Sequence, residues 1–435
     1  MKIKNSKISL SISTLIVLVI SNTIGSGIFL LPRLLAHYGS ISIVAWIITS
    51  IGAIFIALTF SQLHIHKKQT LYEFCQNKLG NFIGFQVSFS YYNSLWIGNA
   101  GVVLVLLSYL KTPFSSVDIS SIEQLFLGII ILWIITLINI KGFIWASILQ
   151  KITFIFQLIP LFMIIFAGMP ELNFNSLRNE FNISEKTNLM ALFSSAVLSL
   201  WSFVGIEAAI MLAQKAKNLY NVKIATVMGT IIIAIIYITS ISIIMGIIRP
   251  QELMYSEAPF YEVAIKIFGS LGGVIASICI VASCLGALNS AVILQSHIKY
   301  TSNNKNPFFM PFKRFKNKNL YLFSNILPNL LSSILLVILF LHSNHEQFST
   351  IISLATLFVL LVYFLVIVSE LKFLTDTKFI ENKFSKLMIA LIAFIYIFCM
   401  LLAIDKQLLC YGVITWCISS LFYFILQKNR FRKND

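Results

Sequence analysis

Apolar runs of about 20 residues, each long enough to cross the ~30 Å hydrocarbon core of a bilayer as a helix, recur along nearly the whole chain. Short polar stretches separate them. The pattern predicts twelve spans, at 8–31, 40–63, 82–110, 124–140, 148–168, 189–214, 226–248, 271–297, 320–341, 348–370, 387–404 and 409–426. No polar stretch between them is long enough to build a core of its own, so the expected fold is one all-α polytopic membrane domain over residues 1–435.

Composition narrows the function classes. Of the 435 residues, 58% are hydrophobic and 11% charged, and the mean hydropathy is +0.89, whereas soluble chains carry about 25% Asp, Glu, Lys and Arg. This excludes a water-soluble globule, a disordered chain and a secreted disulfide scaffold. The formal charge of +16 would suggest a nucleic-acid partner in a soluble protein. Its placement says otherwise. With both termini on one side, 25 of the 32 Lys and Arg fall there, including the cluster Lys299, Lys305, Lys313, Arg314, Lys316 and Lys318 and the tail Lys428, Arg430, Arg432 and Lys433. Loop Lys and Arg set orientation, so both termini are expected in the cytoplasm, with the protein multi-pass in the cell membrane. The basic excess is then topological: the expected partners are the lipid bilayer and no nucleic acid.

Two processing questions follow from the same pattern. Lys2, Lys4 and Lys7 before an apolar stretch imitate a signal peptide, but the stretch is too long and no A-x-A-like site closes it, which predicts an uncleaved first span. Of the six cysteines, Cys279, Cys284, Cys399, Cys410 and Cys417 lie in or beside spans and Cys75 in a cytoplasmic loop, so they read as small hydrophobes and not as a disulfide framework.

Polar chemistry enters the bilayer at two places. Ten of the sixteen acids fall in outer loops and five, Glu73, Glu370, Asp376, Glu381 and Asp435, on the cytoplasmic side. That leaves Glu207, well inside the sixth span in Leu200-Trp201-Ser202-Phe203-Val204-Gly205-Ile206-Glu207. A charge there costs roughly 2.5–3.5 kcal/mol on insertion scales and marks a transport or proton pathway. The first span carries the second irregularity, Ser21-Asn22-Thr23-Ile24-Gly25-Ser26-Gly27-Ile28-Phe29. Glycines flanking a serine weaken the helix by about 1 kcal/mol each, and unwound backbone is tolerated at membrane depth only where it is buried or lines a cavity. A half-helix restarting there offers N–H groups and a positive dipole end to a carboxylate.

The two breaks belong together. Gly25 and Gly205 lie 180 residues and five spans apart, an odd number that inverts the second half. Broken helices at matching places in inverted halves point to a midplane substrate site in secondary transporters. The reading is repeat A over 8–168, repeat B over 189–370 and accessory spans over 387–426. No P-loop G-x-x-x-x-G-K-[ST] supports ATP-driven transport. His64 and His66 lack a third ligand nearby, so no metal site and no cofactor is expected. All six histidines lie in loops or span ends, which speaks against a membrane-embedded enzyme. Gln157 reads either as a proton-handling polar group or as a helix–helix hydrogen bond, and Trp46 and Tyr109 as interfacial aromatics.

The strings Asn22-Thr23-Ile24-Gly25-Ser26-Gly27-Ile28-Phe29-Leu30-Leu31-Pro32, Trp96-Ile97-Gly98-Asn99, Leu200 to Glu207, and Gly286 after Cys284-Leu285 resemble the amino acid–polyamine–organocation superfamily. Within it the chain is most similar to the basic amino acid/polyamine antiporters, the arginine/agmatine and ornithine/putrescine exchangers. The resemblance implies a LeuT-like five-plus-five inverted repeat with helices 1 and 6 broken. It implies exchange of a cationic amino acid for a polyamine or decarboxylated amine. The alternative within transport is a proton-coupled or facilitative amino acid permease of broader specificity. A homodimer is left open.

Carried residue by residue, the resemblance implies that Ser26 and Gly27 meet the substrate carboxylate and that the carbonyls of Thr23, Trp201 and Val204 accept from its α-ammonium group. Trp201 would cover the cationic side chain, with Asn22, Tyr91, Ser94 and Asn99 around its far end. Gly25, Ser202 and Gly205 complete the substrate-binding set at the breaks, and Glu207 would couple gating or protonation to the cycle. Four positions depart from the family pattern: Ala291 stands where a second substrate-facing tryptophan is expected, Leu95 follows Ser94, Lys68 to Phe74 replace a glycine-rich stretch, and the proline pair after span 6 is missing.

Overall fold

The computed structural model describes residues 11–63, 70–114, 119–211, 216–300, 317–341, 347–377 and 379–431; His64 and His66 lie outside them. The helices are α1 (Ile12–Thr23), α2 (Gly27–Ala36), α3 (Ile41–Gln62), α4 (Leu71–Leu79), α5 (Asn81–Lys111), α6 (Ser121–Lys141), α7 (Phe143–Gly168), α8 (Phe174–Asn179), α9 (Asn188–Leu200), α10 (Ala208–Met211), α11 (Leu219–Ile247), α12 (Pro250–Leu253), α13 (Pro259–Tyr300), α14 (Asn317–Leu341), α15 (Gln347–Asp376), α16 (Lys383–Ala403) and α17 (Lys406–Phe431). Among the described residues eleven helices are long and apolar enough to cross a membrane. The pair α1 and α2, bent by 42°, makes a twelfth. The all-α polytopic architecture is therefore the one the hydropathy predicts.

Several helices outrun their apolar windows because local signals continue past the hydrocarbon. Asn218 caps α11 by accepting from the Asn221 N–H at 2.8 Å, which starts that helix ahead of residue 226. The helix α13 begins at Pro259, before the predicted 271, and is kinked at Gly269. Its first turns carry Glu262 and Lys266, which no hydropathy window accepts. The short α4 is fixed at its start by a capping box between Thr70 and Glu73.

The broken helices sit in the middle of the bundle. α1 packs on α11, α13 and α10, α9 on α3 and α15, while α5 is held between α13 and α15. Trp46 and Tyr109, expected at the membrane interface, are fully buried instead. The Trp46 ring meets Tyr237 edge-on at 5.4 Å and Phe203 at 5.8 Å, behind the second break. Tyr109 Oη donates to the Phe29 carbonyl at 2.7 Å and accepts from the Phe260 N–H at 3.2 Å. An aromatic residue near a span end reads as interfacial until a partner helix covers it.

Neutral amides tie these helices together. Asn289 Nδ2 donates to the Ala146 carbonyl at 2.9 Å and to Gln150 Oε1 at 2.8 Å, and Asn289 Oδ1 accepts from Asn139 at 2.9 Å. Gln150 in turn bonds Ser21, and Gln157 Nε2 donates to the Ser21 carbonyl at 3.2 Å, a helix–helix hydrogen bond and the second of its two readings. Asn289→Ala removes three buried hydrogen bonds and leaves Gln150 Oε1 without its amide donor, at about 1–3 kcal/mol for that atom. The variant is expected to melt several degrees lower in detergent, and an unchanged melting temperature would remove this network as a source of stability.

Candidate functional site

The first break falls where the glycines weaken the span: α1 ends at Thr23, Ile24 leaves the helical region, and α2 restarts at Gly27 with Ser26 at its N-cap position. The second break is longer. After α9 come a tight helical turn at Trp201–Phe203, an extended Val204 and Gly205 at φ 117°, before α10 resumes at Ala208. A side chain at Gly205 is barred twice, by the left-handed φ and by Asn22, whose Nδ2 and carbonyl would stand 2.7 and 2.8 Å from an added Cβ. Asn22 Nδ2 also donates to the Gly205 carbonyl at 3.4 Å. The two breaks, 183 residues apart at this contact, therefore touch.

Between them lies a cavity of about 600 Å³, open space at its mouth included. Asn22, Thr23, Gly25, Ser26, Gly27, Tyr91, Ser94, Asn99, Trp201, Ser202, Val204 and Glu207 all line it. Gly205 is absent from the wall, turned instead toward Asn22. Leu95, Gly98, Val102, Ala287, Ala291 and Leu294 complete the lining, so the two departures Leu95 and Ala291 do face the cavity. Thr23 Oγ1, Ser202 Oγ and Asn99 Oδ1 are buried there without a hydrogen-bond partner among the described residues. Asn99 is oriented by its amide, which donates to Asn329 Oδ1 at 3.1 Å, and this fixes Oδ1 as a free acceptor.

The carbonyls expected to receive an α-ammonium group are partly taken. The Thr23 carbonyl accepts from Tyr237 Oη at 3.0 Å and from the Gly25 N–H at 2.8 Å, which fills both lone pairs. The Trp201 carbonyl accepts from the Val204 N–H at 3.1 Å and keeps one. A residue in unwound backbone has spare acceptors only until its neighbours are known, and Tyr237 lies 214 positions away.

Trp201 spans the cavity. An added Cβ on Gly27 would stand 2.8 Å from its Cδ1, and one on Gly98 2.7 Å from its Cη2. Only hydrogen fits at either end of the indole, so Gly98 is a site residue that its place in an apolar stretch does not reveal. Gly98 follows Tyr91 on α5 by seven residues, two turns or roughly 10 Å along the axis. Trp201 thus bounds the cavity about two turns from Tyr91. Trp201→Phe keeps an aromatic face and is expected to retain partial substrate binding, whereas Trp201→Leu should lose most of it, because a cation held over the ring gains about 0.5–2 kcal/mol from the face itself. Equal binding by the two variants, measured by calorimetry, would make Trp201 a packing residue.

At the other end Glu207, 1% exposed, accepts three hydrogen bonds. They come from Tyr91 Oη at 2.8 Å, Tyr363 Oη at 2.6 Å and the Gly205 N–H at 3.0 Å. Its partners among the described residues are therefore two phenols and a backbone amide. Tyr363 was not visible as a site residue: it stands in an apolar stretch of α15, held edge-on by Phe60 at 5.1 Å. A second cavity of about 310 Å³ is lined by Thr70, Leu71, Tyr72, Val87, Ser88, Tyr91, Met211 and Val362. Tyr91 is the residue common to both walls, so its side chain, bonded through Oη to Glu207, stands between the central cavity and one on the α4 side. Glu370, expected on the cytoplasmic side at the end of a span, is fully buried in α15.

Comparison with known proteins bears on what crosses between these cavities. The family model described as amino acid permease matches residues 10–424. The chain is 32% identical over 278 residues to the cadaverine/lysine antiporter of Escherichia coli K12, a match spanning 63% of this chain and 62% of that protein, so less than two thirds of that relative is covered. It is 27% identical over a 441-residue alignment to the putrescine transporter PotE of Haemophilus influenzae, covering 100% of both chains. It is 25% identical over 379 residues to the arginine/ornithine antiporter of Pseudomonas aeruginosa, covering 83% of this chain and 78% of that one. With two helix breaks enclosing a polar cavity in a twelve-span bundle and a family match running almost from end to end, the chain belongs to the amino acid permease family of membrane transporters.

Proposed function

We propose that this protein is a secondary exchanger that trades a cationic amino acid for a polyamine or decarboxylated amine, of the ornithine/putrescine or arginine/agmatine type, across the cell membrane. The observation that carries the reading is the cavity's charge pattern. Its described lining holds no Lys or Arg, and its single acid, Glu207, already accepts three bonds. A substrate carboxylate would meet the start of α2, where the N–H groups of Ser26 and Gly27 and the helix dipole favour an anion without a fixed positive charge. A site built that way also tolerates an amine that lacks the carboxylate, because nothing in it repels a dication. Asn99 Oδ1, Ser202 Oγ and Thr23 Oγ1 supply unpaired polar atoms for ammonium groups. Both members of an exchange pair then use one cavity in turn.

The spans 1–5 and 6–10 act in this reading as inverted halves within a single domain, each contributing one broken helix to the site, with 387–426 as accessory spans. The Lys and Arg distribution places the termini and α4 in the cytoplasm. Trp201 closes the cavity on the outer side and the Tyr91–Glu207–Tyr363 bridge on the inner. The names of the relatives, a cadaverine/lysine antiporter, a putrescine transporter and an arginine/ornithine antiporter, support the substrate class.

Liposomes carrying the purified full chain, preloaded with arginine, ornithine, lysine, putrescine, agmatine or cadaverine, test the reading by counterflow. Labelled substrate is expected to enter only against an internal partner. Equal entry into empty liposomes would replace exchange by a proton-coupled or facilitative permease.

A further inference from the structure

Glu370 has no role in the site described above, yet it is fully buried, and neither carboxyl oxygen has a hydrogen-bond partner among the described residues. Protonated or ionised, a buried carboxyl left unpaired forfeits the hydrogen bonds that water would give it. It stands seven residues beyond Tyr363, on the same face of α15 and roughly 10 Å along the axis toward the α4 side. Three lysines from three other helices act on it electrostatically: Lys78 of α4, Lys386 of α16 and Lys223 of α11. Among the described residues none of them forms an ion pair with it.

Lys78 is the one already fixed against α15. Its Nζ rests over the Phe373 ring, 4.0 Å from the centroid. Phe373 and Glu370 are three positions apart on one helix, so their side chains are neighbours about 5–6 Å apart at Cβ. A swing of the flexible four-carbon stem carries the ammonium from the ring to the carboxylate without moving either helix. One turn earlier on α4, the buried Cys75 thiol lies within the electrostatic influence of Ser369, the residue next to Glu370. Thus α4 lies along α15 with Glu370 beneath it.

We propose that Glu370 is the fixed half of a latch on the α4 side, closed when the Lys78 ammonium leaves the Phe373 face for the Glu370 carboxylate. The latch pins α4, which walls the second cavity through Leu71 and Tyr72, onto α15. Its purpose, holding that route shut for part of the cycle, rests on the transport reading; its existence does not.

Cys75 reports on the latch. It is fully buried, and burial pushes its thiol up to about 12 against the lowering effect of Ser369, so it is inert while α4 lies on α15. In the full chain with Cys279, Cys284, Cys399, Cys410 and Cys417 replaced by serine or alanine, the rate of Cys75 labelling by a membrane-impermeant maleimide is read from the α4 side. E370Q and K78M are each expected to speed labelling at least about fivefold, and the double variant no more than either alone, as for residues that act as one pair. The reversed pair E370K/K78E should return to within about twofold of the background rate. Multiplying effects, no rescue by reversal, or a rate unmoved by K78M would overturn the proposal. K78M alters a half-buried position on a short surface helix, so it keeps the test decisive if E370Q folds poorly. No substrate is needed: a chain that fails counterflow loses the exchange reading, while the labelling still decides the latch.

Discussion

Glu207→Gln is expected to give a folded, membrane-inserted protein whose exchange rate falls at least about tenfold. The carboxyl accepts from Tyr91, Tyr363 and Gly205 at once, tying α5, α15 and the second break to one point. Glutamine offers one acceptor oxygen and turns an amide N–H₂ toward a hydroxyl, so at least one donor loses its partner. Hydrogen bonds to a charged group contribute about 1.5–3 kcal/mol each, and a difference of 1.4 kcal/mol is already tenfold in a rate. Because Tyr91, held by this bridge, stands between the two cavities, the loss should fall on passage, with substrate affinity changed much less. Tyr91→Phe and Tyr363→Phe should show the same division with smaller effects. Counterflow in liposomes measures the rate and calorimetry the affinity. A Glu207→Gln variant that exchanges at the wild-type rate would reduce Glu207 to a structural acid.

Gly27→Val should abolish detectable binding while leaving the bundle assembled. An added Cβ already stands 2.8 Å from Trp201 Cδ1 and 3.0 Å from Ser202 Oγ, so two more methyl groups must displace the indole. Overpacking of this kind costs about 1–3 kcal/mol. The indole cannot retreat freely, since its far edge is held at Gly98. The displaced ring and the new side chain both fill the space in front of the α2 N–H groups, where a carboxylate is expected. Gly27→Ala, with one methyl group, should retain measurable but weakened binding. Calorimetry on the purified variants, with circular dichroism to check folding, decides between this and unchanged affinity, which would move the site elsewhere.

Most of the architecture was legible in the chain itself. Span number followed from apolar length, because in hydrocarbon every backbone group must bond within its own helix. The first break followed from glycines flanking a serine at mid-span, the second from Gly205 at the matching place in the second half, and Glu207 from the cost of a carboxyl at that depth. Asn22, Ser26, Ser94, Asn99 and Trp201 then came together on one cavity wall, as expected of polar and aromatic groups beside broken helices. The two strongest signals, an ionisable carboxyl and a break in the backbone, put polar groups where hydrocarbon offers them no partner, so each points inward without further information.

What only the tertiary structure decided was the role of residues that hydrocarbon does tolerate. Lipid is as apolar as a protein core, so hydropathy along a span does not say which face meets lipid and which meets another helix. Tyr363, Tyr237, Gly98, Trp46 and Tyr109 all stand in apolar stretches, and their partners lie on other helices. The burial of Glu370 was hidden for a related reason: a carboxyl at a span end reads as solvated until neighbouring helices cover it, and α4, whose own sequence is too polar and short to register as a span, packs on α15. Inward-pointing chemistry is written in composition and position, whereas the pairing of apolar faces depends on contacts between segments remote in sequence, which only the assembled bundle specifies.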